Sequence, residues 1–304
     1  MANNPPGNQL SVKVKCRSEK MEGLMDRISK VIHRGPQHLD VESSFECRRE
    51  PDTQIYPYLD FMPLNLYTNK NIGFLEAHVF GLKSMSLVEV RFRDDVSLEK
   101  LVSGCPVLEE LTLIRDMNSS FVGEVDRFMR DLSAKKNIAE FFLSGISSVR
   151  HMTISEDTVV ALKHYSDAGL LPKFNNLSRL EAVFPCMLLP FLPVFLKRCL
   201  NLKHLILKVV DANWAKDEFE LTGVPGCFLS TLECIQLKSI HYWKEEAIKI
   251  ATYFLQNAAV LKKLTLSFMD YPRLVPDKKI FEEINKVTKL SPTCQILHEW
   301  EPGF

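Results

Sequence analysis

The pattern Leu-x-x-Leu-x-Leu occurs three times in the sequence, and it constrains the fold more than any other feature. The full copies begin at Leu108, Leu202 and Leu261. On a β-strand, the last two leucines of a copy point to one face, and the residues beside them point to the other face. Each copy therefore predicts one short strand with a core face and a solvent face.

Looser copies of the pattern extend it along the chain. They begin at Leu82, Val149, Leu177 and Leu232. The seven copies start 26, 41, 28, 25, 30 and 29 residues apart, and five of these six steps are close to the ~20–29 residues of a leucine-rich repeat. The longest step contains apolar residues at helical spacing between 121 and 132, which predicts an inserted helix on the convex side.

Helical segments precede the three full copies, at 96–105, 192–199 and 245–257. One strand and one helix cannot bury their apolar faces alone, but stacked units share a continuous core. The sequence therefore predicts an α/β fold, a leucine-rich-repeat solenoid with a curved parallel sheet and helices on the convex side. The alternative is an ordinary α/β domain in which leucines recur by chance. We expect strands near 85–87, 111–113, 152–154, 180–182, 205–207, 235–237 and 264–266.

The ends of the chain are expected to cover the open solenoid core. Apolar residues at helical spacing predict a capping helix at 21–32, and "QHLDV" at 37–41 is interpreted as an edge strand. After the last repeat, a helix within 277–289 and a strand at 294–300 are predicted to form the other cap. The expected organisation is a polar leader at 1–20, an N-terminal cap with a loop at 21–71, repeats at 72–222, a C-terminal domain at 223–298 and a tail at 299–304.

Charge and composition exclude several classes of partner. The chain has 38 basic and 38 acidic residues, so no net field attracts nucleic acid or an anionic membrane surface. The longest apolar run, at 184–196, is interrupted by three prolines, so we expect no membrane segment. The cysteines never form a C-x-x-C pair, and residues 1–20 lack the apolar core of a signal peptide, which indicates a cytoplasmic or nuclear protein.

Motifs for catalysis, cofactors and metals are missing from the sequence. No phosphate-binding glycine loop and no nucleophile elbow is present, so we expect neither an enzyme nor a cofactor. His33 and His38 have no accompanying cysteine pair, and we assign no metal site. Cys105 and Cys199 share a repeat position that Ala258 fills in the third copy. This favours packing over the alternative of a redox role.

Several segments resemble plant F-box proteins that carry leucine-rich repeats and a C-terminal FBD domain. They are "VSLEKLVSGCPVLEELTLIRD" (96–116), "FLSGISSVRHMTIS" (142–155), "LPKFNNLSRLEAVF" (171–184) and the stretch 228–268. The resemblance covers nearly the whole chain from about residue 26, and it places the FBD domain at 223–298. It implies a non-enzymatic module, similar to the substrate-binding part of an SCF-type ubiquitin-ligase subunit, with a Skp adaptor and a cullin as partners.

Two features depart from this family pattern. Residues 1–20 do not look like the helical F-box that docks the Skp adaptor, so this chain by itself is expected not to bind that adaptor. A further copy, Ile72-x-x-Leu75-x-Ala77, begins only ten residues before Leu82, which indicates that part of one repeat is missing. The alternative function is therefore an F-box-less adaptor or decoy without a ligase role.

The candidate binding site is the strand face that points away from the leucines. Twelve of its fourteen residues are polar, as a solvated concave surface requires. We expect this face to bind a protein target, whereas the alternative is a solvated sheet with no ligand. Its residues are Ser84, Ser86, Glu110, Thr112, His151, Thr153, Arg179, Glu181, His204, Ile206, Cys234, Gln236, Lys263 and Thr265.

Overall fold

Parallel β-strands follow one another in chain order in each of two units, residues 1–148 and residues 149–304. The structure is a computed structural model. It describes residues 11–17, 37–44, 81–88, 105–114, 143, 145–210, 219–240, 244–269 and 278–301.

In the first unit, four described strands pair in parallel with their neighbours in sequence. They are β1 (Ser11–Arg17), β2 (His38–Ser44), β3 (Ser84–Val88) and β4 (Glu110–Ile114). The pairing keeps the repeats in register, because Ser84 of β3 aligns with Glu110 of β4. The same relative position therefore recurs side by side along the sheet.

The second unit continues this arrangement with six described strands, again parallel and in sequence order. They are β5 (His151–Ile154), β6 (Arg179–Pro185), β7 (His204–Val210), β8 (Cys234–Lys238), β9 (Lys263–Met269) and β10 (Gln295–Glu301). The connecting segments hold α1 (Glu156–Asp167), a 3-10 turn (Cys186–Leu188), α2 (Phe191–Leu196), α3 (Gly226–Ser230), α4 (Lys244–Asn257) and α5 (Lys278–Asn285).

The α/β leucine-rich-repeat solenoid predicted from the sequence is confirmed, and each of the seven expected repeat strands lies within β3 to β9. The leucine positions supply the core. Leu205, Leu207, Leu264 and Leu266 are completely buried, and Leu111 is 2% exposed. Strand alternation explains this, because these side chains share one face and the polar residues share the other.

Aromatic side chains fill the layer between the sheet and the helices in the second unit. Phe174 packs against Phe195 of α2 with ring centroids 5.4 Å apart, and Phe228 of α3 packs against Phe254 of α4 at 5.0 Å. All four rings are nearly or completely buried. Burying such rings gives the repeats a common core that a single repeat could not form.

Hydroxyl groups join successive repeats just before the strands. Ser178 Oγ donates to the carbonyl of Arg150 (3.1 Å), Thr231 Oγ1 donates to the carbonyl of Leu202 (2.8 Å), and Ser291 Oγ donates to the carbonyl of Leu261 (2.6 Å). Each bond satisfies a carbonyl at the turn that leads into a strand. The stacking is therefore held by polar contacts as well as by leucines.

The cysteines of the repeat are packing residues, as predicted. Cys105, Cys199 and Ala258 are all completely buried at equivalent turns. Burial raises the pKa of Cys105 to about 12 and also raises that of Cys199. Because the thiolate is the reactive form, these thiols stay neutral and inert at physiological pH.

Several predictions about the ends of the chain need correction. Residues 11–17, assigned to a polar leader, form β1, and "QHLDV" is not an edge strand, because β2 pairs with β1 on one side and β3 on the other. The copy at 72–77 lies outside the described residues. β10 confirms the C-terminal strand, but it extends to Glu301, into the segment predicted as a tail.

Other helix predictions have different outcomes. α2, α4 and α5 confirm the helices expected at 192–199, 245–257 and 277–289. α1 was not predicted. The helix predictions at 21–32, 96–104 and 121–132 lie outside the described residues. No helix in the described part of the chain is long and apolar enough to span a bilayer.

Candidate protein-interaction face

In each unit, the side of the sheet opposite the leucines is called the polar sheet face here. Four of the residues predicted for the binding site lie on it in the first unit and ten in the second. In the first unit, Ser84 aligns with Glu110, and Ser86 aligns with Thr112. β2 adds His38 and Asp40 to the same rows. Sequence analysis missed these two residues because the pattern around β2 lacks the complete leucine signature.

In the second unit, the predicted residues form two rows that run across the strands. The first row takes the first residue of each strand, and the second row takes the third residue. The first row is His151, Arg179, His204, Cys234 and Lys263. The second row is Thr153, Glu181, Ile206, Gln236 and Thr265. Each member lies about 4.8 Å from its neighbour across the sheet, so the face presents ordered arrays of polar groups.

A third row, absent from the prediction, extends the face toward the ends of the strands. It contains Lys208 and Lys238 on β7 and β8, and Ser267 and Glu299 on β9 and β10. The sequence carries a signal for it, because buried apolar residues such as Phe268 continue the alternation beyond the last leucine of the pattern. Strands β6, β7 and β9 are accordingly seven residues long.

Ile206 is the apolar member of the second row, and an ion pair accounts for its burial. Lys238 Nζ lies 2.6 Å from Glu181 Oε1. These residues lie on β8 and β6, so their side chains cross β7, where Ile206 aligns with Glu181. Ile206 is only 5% exposed. Ile206 is therefore a member of the predicted face that the side chains around it cover.

A hydrogen-bond network covers Thr265 in a similar way. Gln236 Nε2 donates to Ser267 Oγ (2.9 Å) and to Glu299, while Ser267 Oγ donates to Glu299 Oε1 (2.7 Å). The contact from β8 to β10 crosses β9, and Thr265 is 4% exposed. Side chains of this part of the face therefore satisfy one another and are held in place.

The first row has a different electrostatic character, because cations lie near its histidine on β7. The pKa of His204 is lowered, first by partial burial and then by the charge of Arg179; Glu233 acts in the opposite direction, and Lys203 and His151 lower the pKa further. A histidine beside cations is disfavoured in its protonated form. The start of the strands is therefore a region of positive potential.

A metal site requires several ligating side chains close together. Among the described residues, no group of three or more His, Cys, Asp or Glu side chains could hold a metal ion. The face instead offers an ordered set of donors and acceptors on rigid strands, to which a polypeptide surface can pair.

Comparisons with known proteins agree with the architecture. A family model described as FBD matches residues 220–266, which overlaps the predicted domain at 223–298, and a Leucine Rich Repeat model matches residues 81–106. An FBD-associated F-box protein of Arabidopsis thaliana is 38% identical to the chain over 97% of the chain and 83% of that relative.

A second relative extends this agreement. An F-box/FBD/LRR-repeat protein of Arabidopsis thaliana is 41% identical over 94% of the chain and 80% of its own length. Its alignment covers 365 positions, more than the 304 residues of the chain, so the relative contains internal segments that the chain lacks. From these similarities and from the repeat architecture, the chain belongs to the plant family of FBD-associated F-box proteins with leucine-rich repeats.

Proposed function

We propose that the chain is a non-enzymatic protein-recognition module, similar to the substrate-binding part of an SCF-type F-box ubiquitin-ligase subunit. The observation that supports this most is the polar sheet face, whose side chains repeat in register and are oriented by the strands and by the ion pair of Glu181 with Lys238. Rigid strands fix these groups before a partner arrives, which reduces the entropy lost on binding. The names of the relatives support a role in protein interaction.

A charge-reversal variant tests whether the face is the binding site. Glu110, Arg179 and Lys263 are exposed residues of the face, and reversing all three should abolish capture of specific partners from plant extract. Exposed substitutions cost within about 0.5 kcal/mol each, so thermal stability should stay nearly unchanged. Captured partners are identified by mass spectrometry. If the wild-type chain and the variant capture the same partners in equal amounts, the binding site is not on this face.

The alternative is the same recognition module without a ligase role, as an adaptor or decoy. Residues 11–17 form a strand of the sheet, so this segment contributes to the repeat architecture and not to a helical bundle of the kind that docks an adaptor. Calorimetry with the purified chain and a purified plant Skp adaptor separates the two functions. A dissociation constant in the micromolar range or tighter would establish the direct ligase-subunit role. If no heat of binding is detected, the adaptor or decoy function without a ligase role is the one that remains.

A further inference from the structure

Basic side chains collect where the strands of the second unit begin. The residue just before each strand and the first residue of the strand form two adjacent rows, because both lie outside the leucine core. Together the two rows carry five cations and one carboxylate, a formal charge of +4 with the histidines neutral, whereas the whole chain is formally neutral. These groups are called the basic edge here. Its charged members are Arg150, Arg179, Lys203, Glu233, Lys262 and Lys263.

The members of the basic edge are close enough to influence one another. A hydrogen bond from Lys262 is the main cause of the lowered pKa of Glu233, and Lys203 and His204 lower it further. Arg179 and Lys203 both disfavour protonation of His204. The edge runs from β5 to β9 across four gaps between strands, about 19 Å in all. The charges at the starts of β6 to β9 therefore act on one another, with an excess of positive charge.

Among the described residues, most of this charge has no acidic partner within ion-pair distance. Lys262 Nζ lies 2.9 Å from Glu233 Oε2, but within the described ranges no ion pair involves Arg179, Lys203 or Lys263. Farther along the strands, the ion pair of Glu181 with Lys238 neutralises charge within the face. The excess is thus confined to the strand starts, where a partner can supply the missing carboxylates.

The dimensions and composition of the edge favour a peptide over a nucleic acid. An extended peptide rises about 3.3 Å per residue, so about six residues cover the edge. Neither row contains Phe, Tyr or Trp, whereas single-stranded nucleic acid is held largely by stacking on such rings. The neutral chain also lacks the general positive field of nucleic-acid-binding proteins.

We infer that the basic edge docks an acidic segment of a protein partner, about six residues long and rich in Asp and Glu, laid across the starts of β5 to β9. The inference deepens the proposed function and rests on it. Carboxylates of the segment pair with Arg179, Lys203 and Lys263, while the ordered rows beyond the edge contact the rest of the partner.

Fluorescence anisotropy of the full chain with labelled peptides tests this inference. The probe is a peptide of three Asp-Glu repeats, and the matched peptide has three Asn-Gln repeats. Wild-type chain should bind the acidic peptide saturably, more tightly at low salt, and should not bind the neutral one. Arg179→Glu with Lys203→Glu should weaken binding at least roughly tenfold.

A control variant separates local recognition from general charge. Lys249→Glu with Lys286→Glu makes the same change in net charge at exposed residues of α4 and just after α5, and it should bind like the wild type. If circular dichroism shows that Arg179→Glu with Lys203→Glu disturbs folding, the variant Arg179→Gln with Lys203→Gln is used in its place. Equal loss in both variants, or no saturable binding by the wild type, overturns the inference.

Two further measurements test whether another kind of molecule binds the basic edge. Tighter binding of oligothymidine than of the acidic peptide would assign the edge to nucleic acid, and concentration-dependent mass in sedimentation would assign it to a second copy. If the triple reversal of Glu110, Arg179 and Lys263 abolishes capture of partners from plant extract while the double reversal of Arg179 and Lys203 leaves capture unchanged, only the acidic-segment inference fails. If the triple reversal changes no capture, the proposed function fails.

Discussion

Replacing Leu205 with alanine tests the repeat core where it is most constrained. Leu205 is completely buried in β7, and its neighbours in register, Leu180 of β6 and Ile235 of β8, are 0% and 1% exposed. The substitution removes three carbon atoms, which corresponds to about 2.4 kcal/mol of lost burial at about 0.8 kcal/mol each. A cavity term adds to this.

The free-energy cost of the cavity should be near its maximum, because β7 cannot move to fill the space. The strands on both sides hold it in place by backbone hydrogen bonds. We therefore expect Leu205→Ala to lower the free energy of unfolding by about 4 kcal/mol, within the 2–5 kcal/mol range of such substitutions. Urea titration followed by far-ultraviolet circular dichroism measures the loss. The slope with denaturant should be unchanged, since the variant alters stability and not the surface exposed on unfolding.

Leu229→Ala is the matched control, because Leu229 is 58% exposed on α3. It should cost within about 0.5 kcal/mol. A loss below about 1 kcal/mol for Leu205→Ala, or a loss equal to that of Leu229→Ala, would show that the stacked leucines do not form the core that we describe.

Four further predictions concern charge and burial. Cys199 should resist alkylation by iodoacetamide in the native chain and react after unfolding in urea, as mass spectrometry would show, because burial raises its pKa. Arg179→Gln should raise the lowered pKa of His204 toward 6.5 in an NMR titration. The lowered pKa of His204 stabilises the fold above pH 6.5, and this contribution should be lost as the pH falls below it. A double-mutant cycle with Glu181→Gln and Lys238→Met should give a coupling of about 0.2–1 kcal/mol that salt reduces.

The core could be predicted from the sequence because residue type encodes it directly. Leucine spacing of two and three residues distinguishes the buried face of a strand from its exposed face, and Leu202, Leu205 and Leu207 are all fully buried as expected. β1 lacks leucine altogether, although "SVKVKCR" alternates valine with charged residues. Alternation alone is a weaker signal than the repeat. A search restricted to the leucine pattern therefore missed it.

The arrangement of the polar sheet face could be predicted only in part. The register of the rows follows from the repeat period, but the contacts between rows depend on side chains that reach across a whole strand. Glu181 and Lys238 are separated by 57 residues in sequence, and Gln236 and Glu299 by 63. Neither pair has a periodic relation in the sequence. Their proximity appears only once the strands are stacked.

The distribution of charge over the face bears on whether the face binds a partner or is only solvated. Like charges held side by side on a sheet are destabilising, and a surface selected for solubility alone would place neutral polar residues or opposite charges at the start of the strands. Farther along the strands, Glu181 of the second row is paired to Lys238 of the third. The first row instead brings Arg179 beside His204, whose pKa is lowered first by partial burial and then by the charge of Arg179. Positive charge gathered at the strand starts is explained when an acidic partner pairs with it, so neutralising the exposed Arg179 should weaken acidic-peptide binding while leaving the melting temperature nearly unchanged.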